Sequence, residues 1–326
     1  MRALVTGASG FVGAHVARLL AAEGAEVRAL CRSAPPPEAR VAEHVAGDVA
    51  EPGVVARAVE GCEAIFHVAA HYSYARAEAE RMHAVNVTGT RNVLEAAARH
   101  DGGTVPRIVV TSSSATCGPV PGRAATEADG PPDWELDIPY KATKLEGERL
   151  ALAAAREGRP VTIVNPCTVL GPGDRRPTPS GKMIADVVSG RARGYIPTAG
   201  LNVVAVEDVA RGHLLALERG RAGERYILGG ENLTLGEAFA IAARRAGRPA
   251  PRLRIPYPVA LGAARAATAI GRLRGREPEL LNLDEVRLAR TPLLFSSAKA
   301  QRELGYAPRG AAETIGAAVD WFLTQG

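Results

Sequence analysis

Short apolar runs alternate with amphipathic stretches through the first half of the chain. The runs Ala3–Thr6, Glu26–Cys31, Ala64–Val68, Arg107–Thr111 and Val161–Asn165 predict strands. Their largely continuous apolar character fits strands covered on both faces. Between them, Gly13–Glu23, Val54–Val59, Asn86–Arg99 and Ala142–Arg156 carry apolar residues at helical spacing. Strand and helix taking turns predict a parallel, doubly wound sheet with helices on both faces.

The second half is less regular. Asn202–Val206 reads as a strand followed by a helix at Val209–Glu218, and Arg225–Leu228 with Thr234–Ala246 makes another strand–helix pair. Proline-rich breaks at Pro172–Pro179, Pro251–Pro258 and Pro278 separate the remaining helical pieces. This pattern predicts a smaller region interleaved with the main sheet rather than following it.

Composition narrows the class. Of 326 residues, 46% are apolar and 23% charged, which excludes a disordered or collagen-like chain. No run approaches the roughly 18–20 apolar residues of a membrane-spanning helix. The opening Met1–Val5 is broken at once by Gly7, Gly10 and Gly13, unlike a signal peptide. A cytoplasmic protein without an integral membrane segment is expected. Net charge is +5, but the arginines are spread along the chain, so nucleic acid is not an expected partner. Cys31, Cys62, Cys117 and Cys167 form no C-x-x-C pair and read as buried reduced thiols. His67, His71 and His83 have no Cys or acidic partner at ligand spacing, so no metal is expected. Val259–Arg276, with Arg265, Arg272, Arg274 and Arg276, reads as a solvated helix, or as an interfacial one if the substrate is a lipid.

The candidate chemistry begins at Gly7-x-x-Gly10-x-x-Gly13, between the first strand and the first helix. A turn this tight excludes Cβ atoms and lets backbone N–H groups and a helix N-terminus approach a pyrophosphate. A dinucleotide-binding, Rossmann-type unit over 1–165, rejoined by 199–220, is therefore expected. Residues 166–198 and 221–326 are left to bind a small-molecule substrate. Tyr140-x-x-x-Lys144 places a phenol and an ammonium on one helix face. There the ammonium would lower the phenol's pKa from about 10 and reach ribose hydroxyls. Thr111-Ser112-Ser113-Ser114 ends a strand at the edge where such sheets bind ligands. The second strand ends Cys31-Arg32-Ser33, without the acidic residue that accepts from a ribose 2′-OH. Arg32 instead suits a 2′-phosphate, so NADP(H) is the preferred cofactor, with NAD(H) the other possibility.

Together these motifs resemble the extended branch of the short-chain dehydrogenase/reductase superfamily over essentially the whole chain. Val5-Thr6-Gly7-Ala8-Ser9-Gly10-Phe11-Val12-Gly13 is similar to its cofactor turn, and Gly47-Asp48-Val49 to its adenine-contacting segment. His67-Val68-Ala69-Ala70 is similar to the loop beneath the cofactor, and Asn86-Val87-Thr88-Gly89-Thr90 to the helix start that braces the active site. The resemblance implies Tyr140 and Lys144 as the catalytic pair and Asn86 in support of the proton path. Ser113 is implied as the catalytic serine, with Ser114 next in line. The implied cofactor set is Gly7, Ser9, Gly10, Phe11, Val12, Gly13, Arg32, Asp48, Val49, Val68, Ala69, Ala70, Ser112, Tyr140, Lys144, Pro166, Thr168 and Val169.

The stretches Asn165–Asp174 with Pro177–Gly181, Gly212–Glu218 through Tyr226–Leu235, and Phe295–Lys299 resemble a narrower group, the hopanoid-associated sugar epimerases, also labelled dihydroflavonol-reductase-like. That likeness implies bacterial isoprenoid or secondary metabolism. One departure bears on the reaction. Nucleotide-sugar epimerases place an Arg against the diphosphate where this chain has Leu201, and a His where it has Ala205. Arg175, Arg176, Arg191 or Arg193 remain as substitutes. The expected function is reduction of a ketone, or the reverse, with Tyr140 as general acid/base. The alternatives are an epimerase that retains its cofactor and a non-catalytic dinucleotide sensor. A homodimer or a monomer is expected.

Overall fold

The computed structural model describes residues 1–99, 105–273 and 282–325. The first strands are β1 (Arg2–Thr6), β2 (Glu26–Cys31), β3 (Glu43–Ala46), β4 (Ala64–His67), β5 (Arg107–Thr111) and β6 (Val161–Pro166). The shorter β7 (Thr168–Leu170), β8 (Gly194–Tyr195), β9 (Gly200–Ala205), β10 (Arg225–Leu228), β11 (Glu231–Thr234) and β12 (Leu253–Arg254) follow. The helices that matter below begin with α1 (Phe11–Ala22), α2 (Pro52–Val59), α3 (Ala79–His83), α4 (Gly89–Ala98), α5 (Pro139–Arg156) and α6 (Pro179–Val188). They continue with α7 (Val206–Arg219), α8 (Leu235–Arg245), α9 (Tyr257–Leu273), α10 (Leu283–Leu288), α11 (Ala298–Leu304) and α12 (Ala311–Gln325).

Seven parallel strands form the central sheet in the order β10-β6-β5-β4-β1-β2-β3. This is the Rossmann order with one strand added beyond β6, and its direction of winding reverses between β1 and β4, where ligands bind in such sheets. The inner strands are apolar on both sides because both sides are covered. Val5, Phe66 and Val109 pack under α1, α7 and α11 through Val16, Leu20, Leu214 and Leu304. Leu4, Ile65 and Ile108 pack under α2, α4 and α5 through Val55, Val93 and Ala151. A second core joins β7 and β9 to α6, α8 and α12 through Leu170, Leu201, Ile184, Phe239 and Ile315. The second sheet runs β11-β9-β7.

Several boundaries differ from the sequence expectation. β4 ends at His67, so Val68 already belongs to the loop. β9 starts two residues earlier than expected and α7 begins at Val206. β3 was not expected: its residues are mostly exposed at the sheet edge, so no apolar run marks it. β7 and β11 escaped because they are only three and four residues long. The helix expected at Asn86–Arg99 is not uniform, because Ala84–Thr88 forms a π turn between α3 and α4. Arg274, Arg276 and Pro278 lie outside the described residues. No helix among the described residues is long and apolar enough to cross a membrane.

Candidate active site

The glycine turn is built as its spacing demands. Gly7 sits at φ +76°, and a Cβ there would stand 2.8 Å from the Ala69 Cα. A Cβ on Gly13 would collide with the Gly7 carbonyl oxygen. Gly10 caps α1 with no side-chain hydrogen bond and no acidic residue in the first turn, leaving the positive end of the helix open to an anion. Thr6 fixes the neighbouring loop, its Oγ1 accepting from the N–H of Val68 and of Ala69 at 3.1 Å.

A cleft of about 690 Å³ runs from this turn to Tyr140 and Lys144. Of the residues singled out in the sequence, Gly7, Ser9, Gly10, Phe11, Val12, Gly13, Arg32, Asp48, Val49, Val68, Ala69, Ala70, Ser112, Ser113, Tyr140, Lys144, Pro166 and Val169 line it. Asn86 and Thr168 do not. Neighbours alternate faces along a strand, and Cys167 and Val169 line the cleft in place of Thr168.

Ser113 and Tyr140 meet at the inner end. The serine caps a short 3₁₀ turn, Ser114–Thr116, its Oγ accepting from the Ala115 N–H at 3.2 Å, and it lines the cleft beside Tyr140. Ser114 instead is buried beside the Cys167 thiol, so the two adjacent serines face different neighbours. Burial pushes the Tyr140 phenol up, and the nearby Ser113 hydroxyl works against that rise. Lys144 is 7% exposed and donates to the Thr111 carbonyl at 2.7 Å. Burial brings its pKa down to about 8, against an opposing pull from Glu148 one turn further along α5. The Ser112 hydroxyl lies buried in the cleft wall with no hydrogen-bond partner among the described residues.

Asn86 acts on the wall rather than in the cleft. Its amide accepts from the His71 N–H at 2.8 Å and donates to the His71 carbonyl and to Thr143 Oγ1, each at 3.1 Å. The Asn86 carbonyl accepts from Thr90 Oγ1 at 2.7 Å, and Gly147 lies so close that a Cβ there would stand 2.5 Å from that oxygen. The π turn therefore touches α5 one helical turn beyond Lys144. His67 joins the same scaffold, between Thr6 Oγ1 at 2.9 Å and Thr90 Oγ1 at 3.0 Å. Because Thr90 donates to Asn86, its oxygen accepts from His67 Nε2–H, which leaves Nδ1 to accept from Thr6. Burial, with the Lys144 charge adding to it, takes the His67 pKa down to about 3.

Two tyrosines at the site were not found in the sequence. Tyr72 lies 4.4 Å from Tyr140, ring centroid to ring centroid, and Tyr74 lies 6.3 Å away. Their hydroxyls are 3.3 Å apart. Both stand in a loop without regular structure, where no periodicity points to them. The loop is tied to α10: Asn282 donates to the Tyr74 carbonyl at 3.0 Å, and Arg76 pairs with Asp284.

At the other end, Cys31 is buried beside Ser9, while Arg32 and Ser33 are exposed along the cleft. Both nearby carboxylates are engaged, Glu38 by Arg175 at 2.6 Å and Asp48 by Arg81. The Ala50 N–H and Arg81 hold the Asp48 carboxyl below its usual range in spite of its partial burial. Leu201 is buried in the second core beside Phe239, and Arg175 and Arg176 line the cleft.

Known proteins agree with this architecture. A model of the NAD dependent epimerase/dehydratase family matches residues 3–229. A Synechocystis protein that carries the provisional name dihydroflavonol 4-reductase is 37% identical, over 99% of this chain and 94% of its own. Sterol demethylase protein B of Methylococcus capsulatus is 34% identical, over 100% and 99%. The crystal structure of gox2253 superposes with a TM-score of 0.85 at 39% identity, covering 99% of this chain and 98% of that one. The chain belongs to the NAD dependent epimerase/dehydratase family, within the extended short-chain dehydrogenase/reductase superfamily.

Proposed function

We propose that the protein is an NADP(H)-dependent reductase that converts a ketone to a secondary alcohol, or runs the reverse. The observation that carries this reading is the meeting of Ser113 and Tyr140 in the cleft lining, with Lys144 one turn along the same helix as Tyr140. The cleft fits a dinucleotide: three glycines whose Cβ atoms have no room or no use, an uncapped helix end, and a buried Ser112 hydroxyl without a partner. A bound nicotinamide supplies the hydride in reduction and accepts it in oxidation.

The remaining chemistry belongs to the chain. Ser113 Oγ donates to the substrate carbonyl oxygen and holds it beside the phenol. Tyr140 delivers the proton to that oxygen as the carbon becomes tetrahedral. The Lys144 ammonium stabilises the phenolate left behind and binds ribose hydroxyls. Asn86 is a positioning residue that fixes the His71 backbone and Thr143 of α5. Arg32 and Ser33 take a 2′-phosphate. The neighbouring carboxylates support this choice, since Glu38 and Asp48 already answer to other arginines. Residues 1–165 with 199–220 hold the cofactor, and 166–198 with 221–326 shape the substrate side. Pro166 and Val169 close the nicotinamide end of the cofactor site.

The alternative uses the same residues but keeps the cofactor and turns a keto-sugar between two hydride transfers. Leu201 in the apolar core disfavours it, whereas Arg175 and Arg176 along the cleft favour it. The test incubates the protein with NADPH and a panel of apolar ketones, and separately with nucleotide sugars. Free NADP⁺ formed in step with alcohol is expected. A C4 epimer seen by NMR, without free NADP⁺, overturns the reductase reading.

A further inference from the structure

We propose that α9 and the β12 segment before it form a docking surface for an anionic lipid bilayer. Amphipathic helices bury one apolar face and turn a polar one to water. α9 carries two apolar stripes roughly 110° apart. One face packs on α10 through Ala260 and Ala264 against Val286. At the 100° advance per residue of an α-helix, Val259, Ala263, Ala266 and Ile270 fall together on the other face, and all four are exposed. Val259 is 61% and Ile270 49% exposed, and Leu253 in β12 adds a third large apolar side chain at 60%. These are three of the six exposed large apolar residues in the described chain, gathered within eighteen positions.

Charge identifies the occupant. From Ala238 to Gly271 the chain has arginines at 244, 245, 248, 252, 254 and 265 and no Asp or Glu. Arg252 and Arg254, on either side of Leu253 in the chain, and Arg265 of α9 are exposed and enter no ion pair formed among the described residues. A second copy of this face would bring arginine against arginine, which disfavours a symmetric dimer through it. Apolar side chains flanked by unpaired arginines match the interface of a membrane with negative headgroups. The surface also bears on the site. α10, which α9 backs, holds the Tyr72–Tyr74 loop through Asn282 and Asp284. A bilayer on α9 thus lies one helix layer from the aromatic wall beside Tyr140, where an apolar ketone dissolved in the membrane would be delivered.

The test is flotation of the full-length protein with vesicles of phosphatidylcholine alone and with equal parts of phosphatidylglycerol added. Binding roughly a hundredfold stronger to the anionic vesicles at low salt is expected from three arginines near the surface. The double variant V259E/I270E is expected to lose that binding at least tenfold while NADPH binding and circular dichroism stay unchanged. R252Q/R254Q is expected to narrow the difference between the two vesicles. Wild-type protein left unbound by both vesicles overturns the proposal, as does V259E/I270E binding as wild type does. A dimer that V259E/I270E dissociates, without any vesicle binding, overturns it too and assigns the face to a second copy. None of these readouts depends on turnover, so they stand apart from the reductase assignment.

Discussion

Ser113 lines the cleft beside the phenol of Tyr140, whereas Ser114, the next residue, is buried beside the thiol of Cys167. One step along a 3₁₀ turn thus decides which hydroxyl reaches the cleft. Ser113→Ala is expected to lower kcat by roughly 10²–10³, the scale of losing one donor to a developing oxyanion. Ser114→Ala is expected to leave kcat within a fewfold of wild type. Steady-state rates of the two variants decide this, and a reversed order would exchange their roles.

Tyr140→Phe removes only the phenolic oxygen and keeps the ring stacked on Tyr72. A fall in kcat of several orders of magnitude is expected, with the Kd for NADPH near wild type, because the proton donor alone is lost. Fluorescence titration of the cofactor beside turnover measurements separates the two. Near-normal turnover would remove Tyr140 from the chemistry.

Lys144 sets the expected pH dependence. Its pKa is lowered to about 8, while burial moves Tyr140 upward, away from the working range. The ammonium is present below about 8 and is lost as pH rises through that value. The kcat/KM for reduction is therefore expected to fall on the alkaline side with a midpoint about 8. In Lys144→Met the small residual rate is expected to lack this limb, and cofactor binding weakens as well. An unchanged limb in the variant would assign it to another group.

Arg32 and Cys31 govern cofactor choice in this reading. Wild type is expected to bind NADPH more tightly than NADH, and Cys31→Asp/Arg32→Ser to reverse the order, since a carboxylate suits a 2′-OH and a guanidinium a 2′-phosphate. Dissociation constants for both cofactors in both proteins are the measurement. Tighter NADH binding by wild type would leave Arg32 without this role.

Glu148 holds the lower half of α5 in place. It accepts from Thr116 Oγ1 and Asn165 Nδ2, each at 2.7 Å, and pairs with Arg225 at 2.8 Å. Glu148→Ala leaves all three donors without this acceptor and is expected to cost about 3 kcal/mol, read from the denaturation midpoint. Because Glu148 also raises the Lys144 pKa, the milder Glu148→Gln is expected to move the alkaline limb to lower pH.

The parts of this molecule legible in the sequence are those that local pattern controls. β2 and β5 run over the residues that their apolar runs mark, and Gly7 and Gly13 stand in the turn because a Cβ at either would strike backbone atoms. What stayed hidden depends on partners distant in the chain. β3 is recognisable only through its pairing with β2. Tyr72 comes to Tyr140 across 68 positions, and α10 holds its loop from 208 positions away. The two groups beside the phenol differ in the same way: helical spacing alone brings Lys144 to the cleft, whereas Ser113 arrives from a strand end elsewhere in the sheet. The π turn leaves no mark in composition at all, since its residues Ala84–Thr88 suit an ordinary helix.

That turn has a consequence for helical phase. A π turn holds one residue more than an α turn, and one residue is worth about 100° of rotation. Met82 of α3 and Leu94 of α4 both point into the interior; an unbroken α-helix would set them about 120° apart, and one extra residue reduces that to about 20°. A continuous α-helix of the same length would satisfy one end and swing the other roughly a quarter-turn out of register. Deleting a single residue between Ala84 and Thr88 would therefore act like a twist of the whole preceding segment. The apolar core would keep α4, and the His71–Tyr74 loop would rotate away from Tyr140 as a block. The extra residue works as a phase shifter, letting one rod fit two walls whose spacing does not match its pitch.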